Sequence, residues 1–200
     1  MTERSVDVWF DFASPYSYLG TARVGALAAQ RGVRLRWQPF LLGPIFADQG
    51  WSNSPLVLQS RKGEHAWRDL ERQARKFGLP WRRPSRFPRP AVLPTRIALL
   101  GAEQPWCEAF TQAVFSRNFV ADEEIDDAAA MAAVLERLGL PAQSLLDAAL
   151  CPTERPRLRR QVDTARRLGI FGAPTWFVGD EMFWGNDRLE DALEWCRPVG

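Results

Sequence analysis

Two hydrophobic periods meet at Ser14-Pro15, and that junction constrains the fold more than any other feature of the chain. Upstream, Val6, Val8, Phe10 and Phe12 alternate with Asp7, Trp9 and Asp11, the period of two that marks a strand. Downstream, Tyr16, Leu19, Val24 and Leu27 share one helical face, and Gly32 closes the run. A second strand follows in VRLRWQPFLL, with Val33, Leu35 and Trp37 on one side. The first forty residues therefore read β-α-β, with a connection long enough for a parallel crossover.

From about Gly43 to Pro152 no convincing strand pattern occurs. EHAWRDLERQARKFG places Trp67, Leu70, Ala74 and Phe77 at helical spacing, and PWCEAFTQAVFSRNF does so for Trp106, Phe110 and Val114, with Pro105 in the first turn. DDAAAMAAVLERLG aligns Met131, Val134, Leu135 and Leu138. Two stretches read as loops: GPIFADQGWSNSPL, long and irregular, and RRPSRFPRPAVLP, a rigid connector. The end returns to mixed structure. Leu158, Val162, Ala165 and Leu168 form a helix face closed by Gly169, APTWFVGDEMFWG reads as a hairpin turning at Gly179-Asp180, and NDRLEDALEWC as a final helix. The sum is an α/β chain: a thioredoxin-like fold with an all-helical insertion between its βαβ and αββα halves. Residues 1–42 and 153–200 form the thioredoxin-like domain and 43–152 the helical insertion.

Composition narrows the function classes. The 200 residues carry a net charge of +2, so nothing in the overall balance favours nucleic acid. Six arginines between 155 and 167 read as a solvated helix face. No apolar run approaches the ~20 residues of a membrane span, and MTERSVDVWF has no secretory apolar region, so a cytoplasmic location is expected. Cys107, Cys151 and Cys196 are scattered, with neither a Cys-x-x-Cys nor zinc-ligand spacing, and His65 is the single histidine. No metal site is expected.

The turns carry the chemistry. Ser14 before Pro15 is an ordinary helix N-cap arrangement. The same geometry presents unpaired amides, a helix dipole and a hydroxyl to an anion. A ligand's thiolate held there would have its pKa lowered, as a cysteine's is at such a place. In GIFGAPTWFVG, Pro174 directly precedes a strand, where this fold carries a cis proline against the active-site turn, and Ala173 would offer its backbone to an extended peptide. The alternative is a plain trans proline opening a strand. Gly185-Asn186-Asp187 precedes a helix, so Asn186 or Asp187 is either a simple cap or a holder for an amino-acid head group. Arg61 and Lys62, just before a helix, read as a solvated pair or as partners for a carboxylate.

FDFASPYSYLG, SRKG with WRDLE, VFSRN, and GIFGAPTWFVGDEMFWGNDRL together resemble the 2-hydroxychromene-2-carboxylate isomerases and kappa-class glutathione transferases of the DsbA-like thioredoxin superfamily, in order over nearly the whole chain. The resemblance implies a glutathione-dependent enzyme: a cis-trans isomerase of an aromatic conjugated enone such as 2-hydroxychromene-2-carboxylate. It implies Ser14 beside the glutathione sulfur, Ala173 ahead of Pro174 on the cysteinyl backbone, Asn186 and Asp187 at the γ-glutamyl end, and Lys62 and Asn53 at the glycyl end. It also implies a homodimer whose partners are glutathione and a small aromatic substrate. Trp51 directly after Gly50, and FADQG before it, depart from the family pattern where the loop would face substrate, which leaves substrate identity open. A kappa-like transferase conjugating electrophiles shares every ligand residue. A disulfide oxidoreductase is disfavoured by the missing Cys-x-x-Cys, and a binding module without turnover is the third alternative.

Overall fold

The structure, a computed structural model, describes residues 4–152 and 154–196. Residues 1–3, 153 and 197–200, which carry both chain ends and one boundary of the expected domain division, lie outside the described residues. The opening reads as expected: strand β1 (Ser5–Phe10), helix α1 (Pro15–Arg31) and strand β2 (Arg34–Pro39). Gly32 ends α1 with φ 60, a left-handed conformation that spares glycine the Cβ penalty. β2 pairs parallel to β1, with Val8 opposite Trp37.

The middle is helical. It runs α2 (Leu42–Asp48), α3 (Pro55–Leu58), α4 (Ser60–Lys76), α5 (Val92–Leu100), α6 (Cys107–Ser116) with a π-turn at Arg117–Ala121, α7 (Ala128–Arg137) and α8 (Ala142–Leu150). Then come α9 (Glu154–Arg167), β3 (Thr175–Val178), β4 (Glu181–Trp184), a 3-10 turn at Asn186–Arg188 and α10 (Leu189–Trp195). β3 runs antiparallel to β1 and β4 antiparallel to β3, giving the order β2-β1-β3-β4.

Several boundaries differ from the sequence expectation. The stretch read as an irregular loop contains α2 and α3. Pro44 stands in the first turn of α2 and Pro55 opens α3, positions where a missing N–H costs no helical bond. Ser54 caps α3 by accepting from the Leu56 N–H at 3.3 Å. The proline-rich connector likewise ends inside α5, where Leu93, Ile97, Ala98 and Leu99 are buried. α6 begins at Cys107, after Pro105, and α8 was not anticipated. α4 begins at Ser60, so Arg61 and Lys62 belong to its first turn.

β1 is buried on both faces. Val6, Val8 and Phe10 join α1, α10 and the middle helices in one apolar cluster, and Phe12 meets Phe115 at 5.1 Å. Trp9 and Phe177 pack on the other face, against Leu158, Val162 and Ala165 of α9 and Leu42 and Ile45 of α2. Both clusters cross the expected domain boundary at residue 42, so the inserted helices have no core separate from the sheet. Burial of this kind, at roughly 25 cal/mol per Å² of apolar surface, is what fixes the turns that follow.

Candidate functional site

The β1-to-α1 connection is held by its own side chains. Ser14 is extended (φ −87, ψ 116) and caps α1, its Oγ accepting from the Ser17 N–H at 3.1 Å. The same hydroxyl donates to the Ala173 carbonyl at 2.9 Å, which ties the turn to the loop entering β3. Asp11, just past β1, turns inward and accepts from the Ala13 N–H and the Leu42 N–H, both at 2.7 Å. Burial pushes the Asp11 carboxyl up to about 6, although both amide bonds pull it down.

The Ala173-Pro174 peptide is cis. The Pro174 carbonyl accepts from the Gly185 N–H at 2.9 Å, and the Trp176 indole donates to the Gly185 carbonyl at 2.8 Å. Gly185 has φ 113, and a Cβ there would lie 2.4 Å from Asp187 Oδ1. At Gly20 of α1 a Cβ would lie 2.8 Å from Trp176 Cζ2 and 3.3 Å from Pro174 Cγ. Glycine at that point lets the helix lie against the proline loop.

Over these turns opens a cavity of about 800 Å³, in the upper part of the usual range of about 300–1,000 Å³ for small-molecule sites. Of the residues expected at the site, Ser14, Asn53, Lys62 and Ala173 line it. Lys62, in the first turn of α4, makes no ion pair among the described residues. Asn53 accepts from the Ser54 N–H at 2.7 Å. Pro174, Asn186 and Asp187 are not on the cavity wall. Asn186 is 3% exposed and its Oδ1 has no partner. The exposed Asp187 pairs with Arg188 at 3.2 Å. Neither caps α10, because the 3-10 turn intervenes and Arg188 holds the cap position without a side-chain bond.

Other wall residues escaped the sequence reading. Tyr16 donates to Asp69 at 3.2 Å, and Gln73 donates to the same oxygen at 2.6 Å. Burial, then Asp69 and more weakly Asp187, push the Tyr16 phenol far above its ordinary range, so it stays a neutral donor. Phe171 and Trp184, both exposed, meet edge to face at 4.8 Å and form an aromatic lip. Arg89, 5% exposed, donates to Asn118 Oδ1 at 2.9 Å and Asp122 Oδ1 at 2.6 Å, while Asn118 donates to the Phe12 carbonyl at 2.9 Å. Arg89 holds the Asp122 carboxyl down to about 2. This network braces the wall against the end of β1, and the asparagine of VFSRN is its centre.

Chemically, the cavity offers an anion three features at once: the amino end of a 17-residue helix, a hydroxyl beside it and an unpaired lysine across it. The four residues Ser14-Pro15-Tyr16-Ser17 hold no thiol, and among the described residues no disulfide joins Cys107, Cys151 or Cys196. Among the described residues no three His, Cys, Asp or Glu side chains come together as metal ligands, and no helix is long and apolar enough to cross a membrane.

Comparison with known proteins adds a lineage to this geometry. The model of the DSBA-like thioredoxin domain family matches residues 5–194. A 2-hydroxychromene-2-carboxylate isomerase of Sphingobium xenophagum is 33% identical over 191 residues, covering 94% of this chain and 95% of that one. Glutathione S-transferase kappa 1 of Rattus norvegicus is 26% identical over 201 residues, covering 94% and 88%. A solved structure of a 2-hydroxychromene-2-carboxylate isomerase superposes with a TM-score of 0.86 at 28% identity, covering 95% of this chain and 94% of its own.

Proposed function

The chain belongs to the DsbA-like thioredoxin family and, within it, to the family of 2-hydroxychromene-2-carboxylate isomerases, and from that premise we propose that it is a glutathione-dependent cis-trans isomerase of an aromatic conjugated enone. The observation that carries this is Ser14: a buried hydroxyl at the amino end of α1, on the wall of a cavity of about 800 Å³, where the family's fold otherwise suits a thiol.

The residues present fit a thiol tripeptide. On the cavity wall Lys62 suits a carboxylate and the Ala173 backbone an extended peptide, while the exposed Asp187, outside the wall, suits an ammonium. The Asn186 amide serves from within, because its side chain is buried off the cavity wall. Glutathione held by Ser14, Ala173 and Lys62 would supply a thiolate nucleophile for reversible addition to the enone. The chain's own work is positional and electrostatic. As the structure stands, the Ser14 hydrogen is spent on the Ala173 carbonyl. Were that carbonyl taken by a ligand donor, the Ser14 hydroxyl would be free to donate to an anion at the amino end of α1 while still accepting from the Ser17 N–H. Donation to the anion lowers the thiol pKa without a base. Tyr16, neutral at any physiological pH, offers its O–H near the developing enolate once it swings from Asp69. The aromatic lip of Phe171 and Trp184 covers a flat substrate. We further infer a cytoplasmic homodimer in which 1–42 and 153–200 form the thioredoxin-like domain and 43–152 the helical insertion, with Ser14 and Ala173 from the first and Asn53 and Lys62 from the second meeting on one cavity wall.

The test is the rate of 2-hydroxychromene-2-carboxylate isomerisation with and without glutathione, with product analysis. Glutathione-dependent turnover with glutathione recovered unchanged supports the isomerase. Accumulated conjugate turns the assignment to a kappa-like transferase. Insulin reduction by the chain would move it to the disulfide oxidoreductases.

A further inference from the structure

A second cavity, of about 380 Å³, lies on the far side of α2 from the first, and the two share Leu41 and Pro44. The arginine run of α9 faces it: Arg155, Leu158, Arg159, Val162 and Arg166 fall at helical spacing along one side, so half of that run borders a groove. Arg96 of α5 closes the groove from the other side. Leu158 and Val162, both buried, form an apolar floor between the guanidinium groups.

The charges are not balanced. Arg166 is satisfied, pairing with Asp48 at 2.6 Å and Asp163 at 2.7 Å. Among the described residues Arg96, Arg155 and Arg159 make no ion pair; Arg96 is felt only weakly by Asp126. Arg96 reaches the Ala149 carbonyl at 3.5 Å through one terminal nitrogen, and its Nε is buried without any acceptor. Arg96 is half-buried, and its guanidinium has no carboxylate partner among the described residues, so its charge is left to the groove it borders.

We propose that this groove is a binding site for a small phosphate monoester with an apolar ester group. Guanidinium forks match phosphate oxygens in pairs. Three unpaired cations suit a ligand of charge near −2 better than a monocarboxylate. The floor of Leu158 and Val162 takes the ester group, which inorganic phosphate lacks.

Phenyl phosphate is the probe, titrated calorimetrically into the full chain at fixed ionic strength, beside inorganic phosphate and benzoate. Saturable binding is expected, tighter for phenyl phosphate than for either comparison anion. The exposed substitutions Arg155→Ala and Arg159→Ala each weaken it about tenfold, whereas Lys62→Ala in the first cavity leaves it unchanged. The proposal fails if phenyl phosphate does not saturate, if benzoate binds as tightly, or if the arginine variants bind like the parent. Weakening by Lys62→Ala also overturns it, because the ligand would then occupy the first cavity.

Discussion

Asp11 carries a penalty at neutral pH that can be read out as stability. Its carboxyl has an ordinary pKa of 3.8 and one of about 6 in the fold, with burial the dominant cause. The folded chain thus holds this proton more tightly than the unfolded chain. The stabilising contribution is full below pH 3.8 and is lost as pH rises through about 6. At about 1.4 kcal/mol per pH unit, the full loss amounts to about 3 kcal/mol, of which about 2.4 kcal/mol falls between pH 4 and pH 7. For a chain of this size that interval corresponds to roughly 5–10 °C in Tm. Asp122 contributes with the opposite sign, but its stabilisation is lost between about pH 4 and pH 2, below that interval. The comparison that isolates Asp11 is Asp11→Asn. Asparagine keeps the shape but cannot accept from both the Ala13 and Leu42 amides, a defect of about 1 kcal/mol at every pH. Urea unfolding of both chains at intervals from pH 4 to pH 7 gives the difference curve. The parent loses about 2.4 kcal/mol relative to the variant across that interval. A difference constant to within about 0.5 kcal/mol refutes the reasoning.

Ser14→Ala removes the α1 cap and the bond to Ala173, which costs about 2 kcal/mol, or roughly 4–8 °C in a melting scan, and slows glutathione-dependent turnover by about 10²-fold. Equal turnover in the variant and the parent would take Ser14 out of the mechanism. Lys62→Ala raises the KM for glutathione about tenfold in steady-state kinetics with kcat nearly unchanged, because its contact is the same in ground and transition states; a loss confined to kcat contradicts that placement. At Gly63 a Cβ would lie 2.1 Å from the Leu56 carbonyl oxygen, so Gly63→Ala must push α4 off α3. It is expected to cost about 1–3 kcal/mol in urea unfolding and to weaken glutathione binding through the displaced cavity wall, whereas an unperturbed melting curve would show that the two helices part freely.

The elements with a clean period were legible. β1, α1 and β2 follow from alternation and spacing, and the β3–β4 hairpin from the Gly179-Asp180 turn between two apolar runs, although β4 has no buried residue. α2, α3 and α5 were hidden by their prolines, which read as punctuation but stand in first turns. Ser14 and Ala173 were visible because each sits at a local junction, a period change or a proline before a strand. Asp11 fell on the polar phase of a strand and so looked solvated; only the fold shows it turned inward to hold the start of α2. Tyr16 with Asp69, and Arg89 with Asn118 and Asp122, lie 53, 29 and 33 residues apart, and no local pattern links such partners. The same holds for the groove. α9 announced its arginines, but Arg96, which borders the same groove, belongs to a helix the sequence did not disclose.

Ultraviolet titration of the thiolate in bound glutathione tests the central claim most directly. The thiol should ionise at least about one pH unit lower on the parent chain than in free solution, and Ser14→Ala should return most of that difference. A bound thiol that titrates as it does in water would mean that the amino end of α1 does not hold sulfur as an anion.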